Sequence, residues 1–154
     1  MLFFVLITLA SAAAAAVQIV AGQSVDLALS MRWGMAIGLM FAGTDHLLKP
    51  RRYLPMMPDR VPYPRQVVFV TGLCEIFGAL GLLLPMTRLA AGYSLAVYFV
   101  CVFPANIKNA VRGLSVDGLP SARWYYWLRL PFQPVAIWWA LFAAGAIAWP
   151  RTSM

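Results

Sequence analysis

Long apolar stretches alternate with short polar, basic or proline-rich connections along this chain, and the pattern predicts five helices. The most informative stretch is Val67 to Pro85, VVFVTGLCEIFGALGLLLP, in which Glu75 is the single charged residue. A run of that length and polarity reads as a membrane-spanning helix. At 1.5 Å per residue Glu75 lies about 12 Å along it, inside hydrocarbon. A carboxyl there costs roughly 2.5–3.5 kcal/mol on insertion scales. It is therefore expected to face the bundle and to hydrogen-bond a group from another helix, with His46, Asn106, Arg129 and Gln133 as candidates. Thr71, Glu75 and Ala79, flanked by Gly72 and Gly78, form a small-residue face where a neighbour would approach.

The other elements follow from the same reading. Residues 1–22 are apolar and alanine-rich; without a positive n-region they are expected to be a retained first helix and not a signal peptide. Its alanine run, Ala12 to Ala16, would let a neighbouring helix come close. The second helix is expected over 31–48, with Gly34, Gly38 and Ala42 on one face and Pro50 as its stop. Residues 49–65 hold five prolines, which exclude a long helix; their apolar side chains suggest a loop on the interface or folded back under the bundle. The third helix is 67–85, the fourth 89–104, and the fifth 130–149, with Pro131 and Pro134 in its first turns. Between the last two, Trp124, Tyr125, Tyr126 and Trp127 resemble a membrane–water aromatic belt. The expected fold is an all-α integral membrane bundle in one domain, 1–154.

Composition supports the membrane reading. The 154 residues are 62% hydrophobic and 11% charged, against about 25% charged in soluble domains. The net charge of +7 could point to nucleic acid, but no basic face survives outside the loops. Nine of the twelve basic residues fall in the connections after helices two and four: Lys49, Arg51, Arg52, Arg60, Arg65, Lys108, Arg112, Arg123 and Arg129. That side is expected to be cytoplasmic, with the amino terminus inside and the carboxy terminus outside, in a bacterial inner (plasma) membrane. Cys74 and Cys101 stand alone, without CxxC spacing, and are expected to be small core residues. With His46 as the single histidine, no multi-histidine metal site is expected.

Helices two and four end on the basic side, and three and five begin there. Asp45, His46, Asn106, Arg129 and Gln133 should therefore gather near one face, with Glu75 reaching into the same half. Asp45 and His46 are about 100° apart on their helix and cannot both point at the axis. Two readings stay open for the cluster: capping and structural pairing, or a site that binds or transfers something. If Arg129 were the partner of Glu75, the carboxylate would stay ionised.

Several segments resemble the DoxX-like family of small membrane proteins: Arg32 followed by GLMFAGTDHLLKP, then YLPMMPDRVPYP, VTGLCEIFGALGLL, VFPANI and RLPFQ, in this order between Arg32 and Ala140. The resemblance implies a four-helix bundle, so the first helix would be an extra leading one. The positions that carry over are His46, Pro58, Gly72, Glu75, Asn106, Arg129 and Gln133. The family takes its name from a subunit associated with thiosulfate–quinone oxidoreduction, and its relatives include redox-associated membrane proteins and a receptor chaperone. The expectation is a cytoplasmic-half polar pocket that binds a small apolar or quinone-like molecule, or serves a membrane redox complex, with quinone as the possible cofactor. The alternative is a non-enzymatic assembly factor for other membrane proteins, built on the small-residue helix faces. Expected partners are the lipid bilayer, other membrane proteins and a second copy of the chain. No self-contained catalytic motif is present, and the lack of a redox-type cysteine pair argues against an autonomous thiol activity.

Overall fold

The computed structural model describes residues 2–113 and 123–148. Among these the chain is all-helical: α1 (Leu2–Val20), α2 (Leu27–Leu48), two single 3-10 turns (Pro50–Arg52 and Leu54–Met56), α3 (Pro64–Leu83), α4 (Arg88–Arg112), α5 (Arg123–Arg129) and α6 (Phe132–Ala144). The helices α1, α2, α3 and α4 are each long and apolar enough to cross a membrane.

Several boundaries differ from the expected ones for local reasons. The third helix runs over Pro64–Leu83 instead of 67–85, with Pro64 at its first position, where the missing N–H costs nothing. Asp26 starts α2 four residues early, because its carboxylate accepts from the Leu29 N–H at 3.0 Å and caps the helix. The fourth helix does not stop at 104: it runs through Pro104 to Arg112. Pro104 removes one backbone bond, and Gln133 Nε2 of α6 donates to the Phe99 carbonyl at 2.5 Å in the turn that the proline disturbs. The expected fifth helix is divided. The aromatic cluster forms α5, then Leu130 and Pro131 interrupt, and α6 runs only to Gly145, whose φ of 78° ends it. At about 20 Å its thirteen residues fall short of a bilayer core of about 30 Å. Residue 149 lies outside the described residues, as does most of the polar connection after α4.

The small-residue stripe of α2 does receive a neighbour. Ile7 and Ser11 of α1 press so closely on Gly34 that a Cβ there would overlap Ser11 Oγ and the Ile7 carbonyl oxygen. The alanine run does not make this contact: Ala12, Ala13 and Ala16 are exposed, whereas Ile7, Ser11 and Gln18 are buried. Gln18 closes the turn between the helices, donating to Ser30 Oγ at 2.8 Å and accepting from the Asp26 N–H at 2.7 Å. On the other face of α2, Met35 and Leu39 meet Ala79 and Leu82 of α3, Leu95 and Phe99 of α4, and Ala136 and Ala140 of α6 in the main core. Arg32 Nε donates to the Ala143 carbonyl at 2.9 Å, satisfying an acceptor that the last turn of α6 leaves free. Cys74 and Cys101 are not core residues; both are exposed on the outer helix faces.

The proline-rich loop folds back under the bundle. Met56 is buried against Ala110 of α4 and Tyr125 and Tyr126 of α5, so half of the aromatic cluster is core, while Trp124 and Trp127 face outward. Asp59 fastens the loop to the end of α4, accepting from Lys108 at 2.7 Å and Arg112 at 2.8 Å; Lys108 also donates to the Met57 carbonyl. The loop after α2 and the basic end of α4 thus sit together at one end of the bundle.

Two outcomes follow. Replacing Gly34 by Ala should lower stability by about 1–3 kcal/mol, the usual cost of overpacking, seen as a lower Tm in detergent; an unchanged Tm would mean that α1 shifts freely. Hydrogen bonding from Lys108, and then the nearby Arg112, hold the Asp59 carboxyl below its ordinary range. A lowered folded-state pKa gives a contribution that is present above about pH 4 and lost as pH falls through the lowered value. The Tm difference between the protein and Asp59→Asn should be small, since the pair is exposed to solvent, constant from neutral pH down to about 4, and closed at lower pH. A difference that grew on acidification would contradict this origin.

Candidate functional site

The site is set by the crossing of α2 and α3. A Cβ on Gly43 would stand 2.7 Å from the Gly72 carbonyl oxygen, and one on Gly72 would stand 3.0 Å from that of Gly43 and 2.9 Å from the His46 Cβ. Only glycine permits this separation. One turn further along each helix, the close approach brings His46 and Glu75 together, with Nδ1 and Oε2 2.6 Å apart. Tyr98 of α4 donates its hydroxyl to the other carboxyl oxygen, Oε1, at 2.9 Å. Glu75 is buried, and both of its oxygens are engaged by other helices. Such a carboxyl is tolerated inside an apolar bundle because neither oxygen is left without a partner.

Asp45 has partners of its own in the loop that follows α2. Its Oδ2 accepts from Arg52 Nη1 and from the Tyr53 hydroxyl, both at 2.6 Å, and Lys49 Nζ stands 3.7 Å from Oδ1. The Tyr53 ring also packs edge-on against His46, with centroids 3.9 Å apart. Burial, reinforced by the hydrogen bond to Asp45, pushes the Tyr53 phenol well above its ordinary pKa, so it remains a donor throughout the physiological range. One loop residue therefore steadies both members of the Asp45–His46 pair.

A second polar chain runs from α5 to α4 to α6. Arg129 Nη2 donates to Asn106 Oδ1 at 3.3 Å, Asn106 Nδ2 donates to Gln133 Oε1 at 3.2 Å, and Gln133 donates onward to the Phe99 carbonyl. Arg129 is not the partner of Glu75. The guanidinium is carried by α5, and the carboxyl is already occupied by His46 and Tyr98.

Both chains face one cavity of about 220 Å³, and all six residues singled out in the sequence line it: Asp45, His46, Glu75, Asn106, Arg129 and Gln133. Arg52, Tyr53 and Tyr98 line it as well and were missed by sequence reasoning. Tyr98 was findable as the hydroxyl about two turns before Asn106 in the otherwise apolar stretch 95–105; Arg52 and Tyr53 were hidden among the residues of the basic loop. The remaining wall is apolar, with Phe3 and Phe4 of α1, Phe41 of α2, Val68 of α3, and Phe99 and Val102 of α4. A small apolar body with one or two polar ends is the shape this lining can hold.

A family model matches residues 35–152, described as a domain of unknown function (DUF8561). The chain belongs to that family. The part shared with DUF8561 begins within α2 and includes every polar residue of the cavity, while Leu2, Phe3 and Phe4 of its wall precede it. No curated protein and no solved structure matched the chain.

The geometry separates two substitutions at Glu75. Leu leaves the Tyr98 hydroxyl and His46 Nδ1 unpartnered beside the cavity and should cost about 3–5 kcal/mol, as breaking a buried pair does. Gln keeps the shape and an acceptor for Tyr98 and should cost no more than about 1–2 kcal/mol. Thermal unfolding of the two variants in one detergent measures the gap; equal losses would mean that the hydrogen bonds contribute nothing beyond packing.

Proposed function

We propose that this chain is a membrane-embedded binding protein for a small apolar, quinone-like molecule, serving a redox-associated membrane complex. The observation that carries this reading is the cavity itself, with aromatic and aliphatic walls and two hydrogen-bonded groups of polar side chains inside a bundle of membrane-length helices. A quinone presents two ring carbonyls to opposite sides. Arg129 supplies N–H donors to the polar lining, and His46 has Nδ1 committed to Glu75 and leaves its second ring nitrogen for a ligand.

The resemblance to the DoxX-like family supports the same reading, because the carried-over His46, Glu75, Asn106, Arg129 and Gln133 all line this cavity. In that scheme α1 is an addition to a core made of α2, α3, α4 and the α5–α6 segment, in keeping with a family match that begins after α1. The end of the bundle that carries the proline-rich loop and the basic end of α4 faces the cytoplasm, which its share of the lysines and arginines supports.

The test is direct. Protein purified in mild detergent should carry an extractable isoprenoid or other quinone detectable by mass spectrometry. Added short-chain quinone at a hundred times its Kd should stabilise the protein by about 2.7 kcal/mol. Protein that contains no such molecule and whose Tm does not respond to added quinones would remove the reading.

A further inference from the structure

We propose that Arg129 is an anion anchor, so that the preferred occupant of the cavity is a single-chain amphiphile with one acidic headgroup. This deepens the binding reading above and rests on it for the cavity, but it assigns the ligand a charge that a neutral quinone does not have.

The argument starts from the acids. The chain has five acidic residues. Four are described, and each is engaged elsewhere: Asp26 caps α2, Asp45 is held by Arg52 and Tyr53, Asp59 by Lys108 and Arg112, and Glu75 by His46 and Tyr98. The fifth, Asp117, lies outside the described residues. Arg129 is largely buried, and its one hydrogen bond among the described residues goes to the neutral Asn106 amide at 3.3 Å. A guanidinium carries five N–H donors in a rigid plane. Most of these have no protein acceptor among the described residues, and the side chain faces the cavity. Burying a cation without a counter-ion is costly.

Among the described residues, neighbouring groups do not supply that counter-ion. The Asn106 and Gln133 amides point their donors away from Arg129, toward Gln133 Oε1 and the Phe99 carbonyl. An incoming carboxylate or phosphate monoester would meet two parallel N–H groups of the guanidinium, the geometry in which arginine binds acids best. Space decides the rest of the ligand. About 220 Å³ is below the roughly 300–1,000 Å³ of pockets that enclose a whole drug-sized molecule, so it holds a headgroup and the first part of a chain. Leu2 and Phe41 line the cavity yet are 51% and 56% exposed, so the apolar wall continues to the outer surface of the bundle, where a chain can run on into lipid.

The experiment uses the full-length protein in nanodiscs of zwitterionic phosphatidylcholine and four probes: dodecanoate, dodecyl phosphate, dodecanol and decylubiquinone. Dodecanoate or dodecyl phosphate should bind at least tenfold more tightly than dodecanol, and the stronger of the two identifies the acid. Arg129→Gln should abolish the preference, and Arg129→Lys should keep the charge but lose part of it. The comparison of acid with alcohol on the unaltered protein decides the matter even where Arg129→Gln fails to fold. Equal binding of dodecanol and dodecanoate, or an acid preference that survives in folded Arg129→Gln, would overturn the anchor. Stabilisation by decylubiquinone without any by the acids would overturn it too while leaving the binding reading in place. No response to any probe would overturn both.

Discussion

A carboxyl group halfway along an apolar helix must be supplied with donors by its neighbours, and the packing around α3 is arranged to do so. The approach of α2 and α3 at Gly43 and Gly72 is close enough for His46 to reach Glu75, because neither position carries a side chain. The other oxygen requires a donor from a third helix, and Tyr98 places α4 on the opposite side of the carboxyl. Three helices are thus held at fixed register by one residue that none of them would expose to lipid. The apolar core formed by Met35, Leu39, Leu82, Leu95 and Phe99 provides the bulk of the burial, but apolar contact has no direction. Direction comes from the carboxyl.

Much of this was legible in the sequence. The inward orientation of Glu75 followed from the cost of the alternative, and the glycines of α2 marked a real helix contact at Gly34 and Gly38. The gathering of Asp45, His46, Asn106, Arg129 and Gln133 around one cavity followed from which helix ends share a side. What stayed hidden depended on tertiary context. The fourth helix was expected to end near 104, yet α4 runs through Pro104 to Arg112, with Gln133 of another helix bonding the Phe99 carbonyl. Five consecutive alanines suggested a contact surface, yet the contact is made by Ile7, Ser11 and Gln18. The choice among His46, Asn106, Arg129 and Gln133 as partner of Glu75 turned on how the helices pack, which no local pattern encodes.

The cavity joins two kinds of wall. Its polar half comes from α2, the loop after it, α3, α4, α5 and α6 and lies within the stretch that matches DUF8561. Part of its apolar half comes from α1, where Phe3 packs toward Phe99 and Phe4 toward Phe132, with ring centroids 6.3 and 4.8 Å apart. Because α1 precedes the shared stretch, the hydrogen-bonding groups and the shape of the enclosure can vary independently: a different leading segment would change the room available without touching a polar atom.

Tyr53 links the aqueous end of the molecule to its interior. Its hydroxyl is committed to Asp45 and its ring leans on His46, while the loop that carries it is pinned by Met56 beneath α4 and α5 and by Asp59 at the end of α4. These attachments are mechanically in series. A partner that pulled on the loop would withdraw the phenol from Asp45 and the ring from His46 in the same movement, so an event at the surface would be felt at the buried carboxyl without any helix having to move.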